Sequence, residues 1–535
     1  MRRHFGKLAF VVLTLPTIAA AQAPSLASAA VARSASGASV RSETEELRAE
    51  LERLQEQLRQ QSLLLERYRA QLDELRRQSN EPAGAEHRSA ADAAASAAAA
   101  PSLPAARGQA PAPAAESPAP LFWRLGTARV TPGGFLDFTA IFRSTNVGSG
   151  IGTSFGSIPF NTSAAGRLTE TRFTAQNSRL SLKVETPAGR QELTGYVEAD
   201  FLGVDPPNAF VTSNSHSFRM RLYWVSVHRG KWEVLGGQSW SLLTPNRRGL
   251  SAVPADIFFS QDMDTNYQVG LTWARQAQLR VLYHPSSHWT LGASLENPQQ
   301  YITPGVVLPT PALGSQFDAG SNAAAPNLHP DLIVKMAYDA TPAGRNLHVE
   351  AGGLLRSFKT FDPAASRTHT LTGGGVSAAL LFEAVRSLRL IATGFWSDGG
   401  GRYIFGLGPD VVVRPDGTLS AVHAGSGIAG LEWQVTPAWL FYSYYGGAYF
   451  QRNYASTGNG FVGFGFPGSS STANRTVQEA TLGFVRTLWR DPAAGALQLI
   501  TQGSYLTRSP WSVATGQPKN AHVVMGYVDL RYVLP

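Results

Sequence analysis

The 535 residues include no cysteine, so any chemistry rests on oxygen and nitrogen side chains. Disulfide scaffolds, Cys-ligated zinc or iron–sulfur sites and thiol catalysis are excluded. Two short strings suggest a reaction centre, and neither has the frame it needs. Gly152-Thr153-Ser154-Phe155-Gly156 spells a nucleophile elbow. An elbow requires a strand before it and a helix after it, to hold a strained serine beside an oxyanion hole. Here the string lies in a Gly/Ser/Asn-rich stretch with neither, and a chain with 52 glycines reaches such a match by chance. His284 and His288 are four apart but bracket a Pro-Ser-Ser turn, not a helix, and no nearby carboxylate completes a metal set. No phosphate-binding loop or dinucleotide fingerprint is present, and the sequence implies no cofactor and no metal. What remains is a row of cations, Arg179, Lys183, Arg219 and Arg221. Inward cations in a narrow wet passage attract anions and offer paired donors to carboxylate or phosphate. The competing reading pairs them with Glu185, Glu198 and Asp200 to stiffen a wall. The residues alone leave both open.

The elements that carry this row alternate with period two from Phe122 onward. Leu136, Phe138, Ala140 and Phe142 interleave with Asp137, Thr139 and Arg143. Leu180, Leu182 and Val184 interleave with Arg179, Ser181, Lys183 and Glu185. Leu193, Val197, Ala199 and Phe201 oppose Glu192, Thr194, Tyr196, Glu198 and Asp200. Phe218, Met220, Leu222 and Trp224 read as one apolar face against Arg219, Arg221 and Tyr223. The pattern returns at 289–296, 347–356, 427–435, 477–485 and 523–534. Segments of about 10 to 14 residues exceed the usual five or six of soluble sheets. Long strands with an aromatic-rich apolar face and a charged opposite face fit a membrane barrel with a wet interior. An Arg facing lipid would cost about 2–4 kcal/mol at the midplane, so the cationic side faces the lumen. Turn-like connections at 187–189, 229–230, 285–287, 341–344, 384–386, 436–437 and 492–495 alternate with long segments at 144–171, 202–216, 241–265, 298–330, 358–369, 398–425, 450–475 and 507–521. That alternation is an up-and-down barrel of about sixteen strands with both ends on the periplasmic side, provided 266–284 is one strand kinked near Arg275. The fold class is all-β, a transmembrane antiparallel barrel over 122–535.

The segment before it reads differently. Arg2, Arg3 and Lys7 precede the apolar stretch Leu8 to Ile18, and Ala19 and Ala21 suit cleavage before Gln22, so 1–21 is a secretory signal peptide. Export removes the cytosolic nucleic-acid readings. Over 43–78 the leucines follow a 3.5-residue repeat. Leu51, Leu58, Leu65 and Leu72 take the a positions, and Leu47, Leu54, Gln61, Tyr68 and Leu75 take d. This is a self-associating coiled coil with Gln61 as its polar break, although Leu at both a and d does not fix the number of strands. Residues 79–120 are almost all Ala, Pro, Ser and Gly, a spacer that cannot bury a core. The net charge of +8 belongs to the barrel: 14 basic and 13 acidic residues lie in 1–123, against 32 and 25 after it.

The chain resembles the DcaP-like trimeric outer-membrane porins. The likeness lies in Asn177-Ser178-Arg179-Leu180, Tyr196-Val197-Glu198-Ala199-Asp200-Phe201, Arg219-Met220-Arg221, Gly236-Gly237-Gln238-Ser239-Trp240-Ser241, Arg275-Gln276-Ala277-Gln278-Leu279-Arg280 and Ala293-Ser294-Leu295-Glu296-Asn297-Pro298. The resemblance implies a sixteen-stranded homotrimeric channel in outer-membrane lipid, taking up small anions, dicarboxylates among them, with the coil trimerising in the periplasm. It also implies that the loop after the fifth strand, Leu242 to Asp264, folds inward and narrows the pore. That loop carries Arg247, Arg248, Asp256, Asp262 and Asp264. The expected pathway is a wall of Arg179, Lys183, Arg219 and Arg221, loop contacts Arg247 and Arg248, and opposing acids Asp256, Asp262 and Asp264. Two other functions fit the same residues. A phosphate-selective porin would favour a denser cationic ladder than the barrel's five lysines. An envelope tether would use the coil, about 50 Å long at 1.5 Å per residue, to reach towards the cell wall, with the barrel as anchor. An enzyme is not expected.

Overall fold

The computed structural model describes residues 122–204, 214–302, 305–318 and 326–535. The chain divides into two units, Met1–Gln109 and Ala110–Pro535, and all described residues belong to the second. The signal peptide, the coiled coil with Leu47 to Leu75, and the spacer therefore lie outside the described residues.

Sixteen antiparallel strands close on themselves. The first is β1 (Ala128–Arg143); β2 runs in two pieces, Glu170–Thr174 and Arg179–Ala188, both paired with β1. There follow β3 (Gln191–Asp200), β4 (Arg219–Arg229), β5 (Trp232–Trp240), β6 (Arg275–Tyr283) and β7 (Trp289–Glu296). Then come β8 (Asp331–Ala340), β9 (Leu347–Asp362), β10 (Arg367–Val385), β11 (Leu388–Asp398) and β12 (His423–Thr436). The last are β13 (Trp439–Phe450), β14 (Asn474–Asp491), β15 (Gly495–Pro510) and β16 (Ala521–Val533). Closure is made by β16 on β1, in register from Phe135 opposite Val533 to Arg143 opposite Met525. A closed sheet has no edge, so every strand amide finds a partner without water.

The period-two reading sets the two faces. Leu136, Phe138 and Phe142 of β1 point outward, while Asp137, Thr139 and Arg143 are buried inside. Aromatic pairs gather near the short-turn end: Trp232 with Tyr283 at 4.5 Å, Trp289 with Tyr338 at 4.8 Å, and Trp439 with Phe484 at 5.3 Å between centroids. Such rings, apolar in body and polar at one edge, suit a membrane–water interface.

Three expectations need correction. First, β4 does not keep one face. Met220 points outward, but Leu222 and Trp224 are buried inside, and Tyr223 is 46% exposed on the outside. The cause is a bulge: Ala199 opposes Met220 and Glu198 opposes Leu222, so Arg221 is the extra residue and the alternation inverts past it. Second, 358–369 is not a long loop. Alternation continues through inward Phe358 and Thr360 and outward Phe361, and β9 and β10 meet at a tight turn over 363–366. Third, 266–284 is not one kinked strand. β6 begins at Arg275, and 266–274 belongs to the loop inside the barrel. There Gly270, at φ +95°, lies so close to β12 and β13 that a Cβ would stand 2.2 Å from the Gly427 carbonyl oxygen. A Cβ on Gly446 would stand 1.9 Å from the Val269 carbonyl oxygen. A backbone pressed that tightly on the wall cannot also be a strand of it.

The face assignment predicts an asymmetric response to charge. Leu279, 51% exposed in mid-β6, faces the hydrocarbon. Leu279→Arg is expected to cost about 2–4 kcal/mol, read from reversible urea unfolding in lipid vesicles. A cost under about 0.5 kcal/mol would mean that this face does not meet lipid.

Candidate functional site

The connection between β5 and β6, residues 241–274, folds into the lumen and turns back on itself. Its descending arm lies against β7, β8 and β9. The Leu242 amide donates to Glu296 at 2.7 Å, the Asn246 amide to Glu350 at 3.2 Å, and the Gly249 amide to Asp339 at 3.0 Å. Lys335 reaches the Thr244 carbonyl at 2.8 Å and pairs with Glu350 at 2.6 Å. Near the short-turn end the arm reverses through a single turn, Pro254–Asp256. The returning arm lies against β12 to β16. The Gln261 amide donates to the Tyr444 hydroxyl at 3.1 Å, Met263 to Gln502 at 2.6 Å, and Val269 to Glu479 at 3.0 Å. Leu242, Leu243, Leu250, Ile257, Phe258, Met263, Val269 and Leu271 are all buried. Apolar contact holds the loop down, and wall carboxylates and hydroxyls satisfy the amides that a non-regular segment would otherwise leave unpaired.

The expected pathway residues fall into three groups. In the upper group, Arg219 donates twice to Asp200, at 2.9 and 2.7 Å. Arg221, 2% exposed, lies 2.7 Å from both Glu198 and Asp200 and donates to the Tyr267 hydroxyl at 3.2 Å. Arg179 stands 3.7 Å from Glu198. Near the short-turn end, Lys183 pairs with Glu185 at 3.0 Å. Arg248 is exposed, and half-buried Asp256 feels the charges of Arg248, Asp339 and Lys183. Burial pushes the Asp256 carboxyl up. Arg247 borders the same opening but is engaged: it donates twice to Glu432, at 2.8 and 2.7 Å, and so ties the loop tip to β12. The third group lies behind the loop. Asp264, 1% exposed, accepts the Thr153 amide at 3.0 Å and the Tyr527 hydroxyl at 3.1 Å. Asp262 accepts the Ser260 hydroxyl at 2.9 Å. Burial pushes both carboxyls up, and the charge of Asp264 adds to the effect on Asp262. Of the three loop acids expected to face the cationic wall, Asp262 and Asp264 therefore sit between loop and wall.

One residue that the sequence reading passed over as a kink completes the upper group. Arg275 opens β6 directly opposite Trp240 at the end of β5. Its guanidinium carbon lies 5.5 Å from the Trp240 ring, as does that of Arg221. Among the described residues the Arg275 guanidinium makes no hydrogen bond and no ion pair. It borders a cavity of about 220 Å³ with Arg219, Trp240, Tyr267 and Trp273, and an adjoining one of about 910 Å³ with Arg402, Tyr301 and Phe405. Four guanidiniums, of Arg179, Arg219, Arg221 and Arg275, thus meet two carboxylates, Glu198 and Asp200. Trp240 and Arg275 are the two residues at which the inward loop leaves and rejoins the wall, a junction hidden in the sequence because 266–274 reads as strand. A third cavity of about 560 Å³ near the short-turn end is bordered by Arg248, Asp256, His348 and Arg389. The elbow string is confined to a loop: Thr153 binds Asp264, and Phe155–Ser157 is one short turn of 3-10 helix. His284 pairs with the Thr290 hydroxyl and His288 with the Asp339 carbonyl, so they do not converge.

No family model matches the chain, and no curated protein matches it. Solved structures are similar in fold. The outer membrane channel DcaP of Acinetobacter baumannii is 17% identical with a TM-score of 0.57, covering 78% of this chain and 100% of that one. An anion-selective porin from Comamonas acidovorans is 14% identical with a TM-score of 0.43, over 76% of this chain and 100% of that one. The fold is thus a sixteen-stranded barrel similar to that of the DcaP channel, as the sequence resemblance implied.

The anchor at Glu432 gives a direct test of the loop's attachment. This buried carboxylate also holds Arg389 at 3.0 Å and the Tyr444 hydroxyl at 2.8 Å. Glu432→Gln leaves the largely buried Arg247 without its counterion, and removal of one partner from a buried pair costs about 3–5 kcal/mol. The expected outcome is a drop of that order in unfolding free energy, together with faster proteolysis between 245 and 265. Unchanged stability and cleavage would show that the loop is held elsewhere.

Proposed function

We propose that this chain forms an outer-membrane channel through which small anions, carboxylates foremost, diffuse passively. The observation that carries the reading is the Arg275 guanidinium, which makes no hydrogen bond and no ion pair among the described residues and borders the cavity of about 220 Å³ beside Arg219. Glu198 and Asp200 neutralise two of the four guanidiniums at this corner, so a net positive field faces the passage. The inward loop supports the same reading. It packs against β7 to β9 and β12 to β16 and leaves the β1 to β6 side as the route, with Lys183, Arg248 and Asp256 near its lower end. A guanidinium offers a planar carboxylate two parallel hydrogen bonds, and a low-dielectric wall strengthens the attraction. The assembly we propose is a homotrimer held in the periplasm by the coiled coil over 43–78, with the apolar outer face in the outer membrane. The phosphate-selective alternative gains nothing from the corner, because only one guanidinium there lacks an acidic or hydrogen-bonding partner.

Planar-bilayer recording under a potassium chloride gradient tests the reading. The expected result is a reversal potential of anion-selective sign and closure in three equal steps. Arg275→Gln is expected to lower the chloride-to-potassium permeability ratio at least twofold. A cation-selective reversal potential, or no current from a folded barrel, would reject the proposal.

A further inference from the structure

Building on the channel reading, we infer that the cavity at Arg275 is a subsite for one carboxylate carried on a flat aromatic ring, an aryl monocarboxylate of about benzoate size. The charge at the corner sets the number of anionic groups. Arg219 is bidentate with Asp200, and Arg221 is held by Glu198, Asp200 and Tyr267. Arg275 has neither a hydrogen bond nor an ion pair, whereas Arg179 keeps Glu198 at 3.7 Å, so the corner offers one carboxylate an unpaired guanidinium. The walls set the body of the ligand. Trp273 borders both cavities around Arg275. It stacks on Phe405 with centroids 5.2 Å apart and planes 28° apart, and meets Trp240 and Tyr267 edge to face at 5.6 and 5.5 Å. Trp273 and Phe405 are only half-buried, so their surfaces border open space, whereas Trp240 is packed away beneath Arg275. Aromatic surfaces attract flat rings through stacking and edge contacts that a saturated ring of similar size does not make. The volume sets the size. About 220 Å³ is below the roughly 300 Å³ at which pockets for drug-sized ligands begin.

Phe405, Trp273 and Trp240 follow one another from the wider cavity to the narrower, and Arg402 lies on the wider side, donating to Gln299 at 2.6 Å. A ring moving along Phe405 and Trp273 brings its carboxylate onto Arg275. The site therefore favours ligands with one charged edge and one flat face over chain-like diacids.

The test compares three acids as blockers of the ion current through the full-length channel: benzoate, cyclohexanecarboxylate and succinate. The site predicts half-block by benzoate at a concentration at least tenfold below either of the others. Trp273→Ala is expected to raise the benzoate concentration at least tenfold while moving that of succinate less than twofold. Equal block by benzoate and cyclohexanecarboxylate, or preference for succinate, would overturn the aryl site while leaving the channel intact. Were the folded barrel to pass no current, the channel reading itself would fall. Calorimetric titration of benzoate into the purified protein would then decide the site, with heat lost in Arg275→Gln expected and heat unchanged contradicting it.

Discussion

A loop of irregular backbone inside a closed barrel must find acceptors for its amides, and here wall carboxylates supply them. Glu296, Glu350, Asp339 and Glu479 each accept a main-chain N–H from the inward loop. Glu296, Glu350 and Glu479 are buried, and the wall keeps Lys335 beside Glu350; at Glu432 the loop's own Arg247 and the wall's Arg389 share one carboxylate. Opposite charges packed this closely hold the loop because removing either member strands the other. The rest of the lumen follows from that arrangement. Acids along β7 to β14 are engaged in anchoring the loop, and the cations they neutralise are not available to a solute. The excess of guanidinium is left where the loop leaves and rejoins the wall.

Steric fit enforces the same partition. Gly270 on the loop faces Gly427 and Gly447 on the wall, and Gly446 faces the Val269 carbonyl, at separations that no side chain could share. Loop and wall are thereby in backbone contact along β12 and β13. On the opposite side, the bulge at Arg221 places three successive inward groups, Arg221, Leu222 and Trp224, where strict alternation would allow two. That crowding brings Arg221 over Trp240 and under Tyr267, and it leaves Arg275 on the far side of the same indole.

The sequence made the barrel legible because its signal is simple and repeated. Period-two alternation, strands longer than soluble sheets use, and short turns alternating with long loops all describe one architecture, and the inward loop followed from the resemblance. What escaped was local. A one-residue bulge leaves no mark in composition, so Leu222 and Trp224 read as outward. The Gly270 contact is visible only when loop and wall are both in place, so 266–274 read as strand. Asp262 and Asp264 read as pore-lining because a loop's sequence does not say which of its faces meets the wall. Arg275 was in view throughout, but its meaning depends on Asp200 and Glu198 being engaged elsewhere, which spacing cannot reveal.

The central claim is that the loop has one wet face, turned towards β1 to β6, and one dry face against β12 to β16. Single cysteines test this cleanly, because the chain has none of its own. Asp256→Cys and Asp264→Cys would each be treated with a charged, membrane-impermeant thiol reagent in the folded barrel, and labelling would be followed by mass. The account predicts rapid modification at position 256 and none at 264 until the protein is unfolded. Labelling at 264 as fast as at 256 would contradict it, because the acids now assigned to the anchor would then line the water.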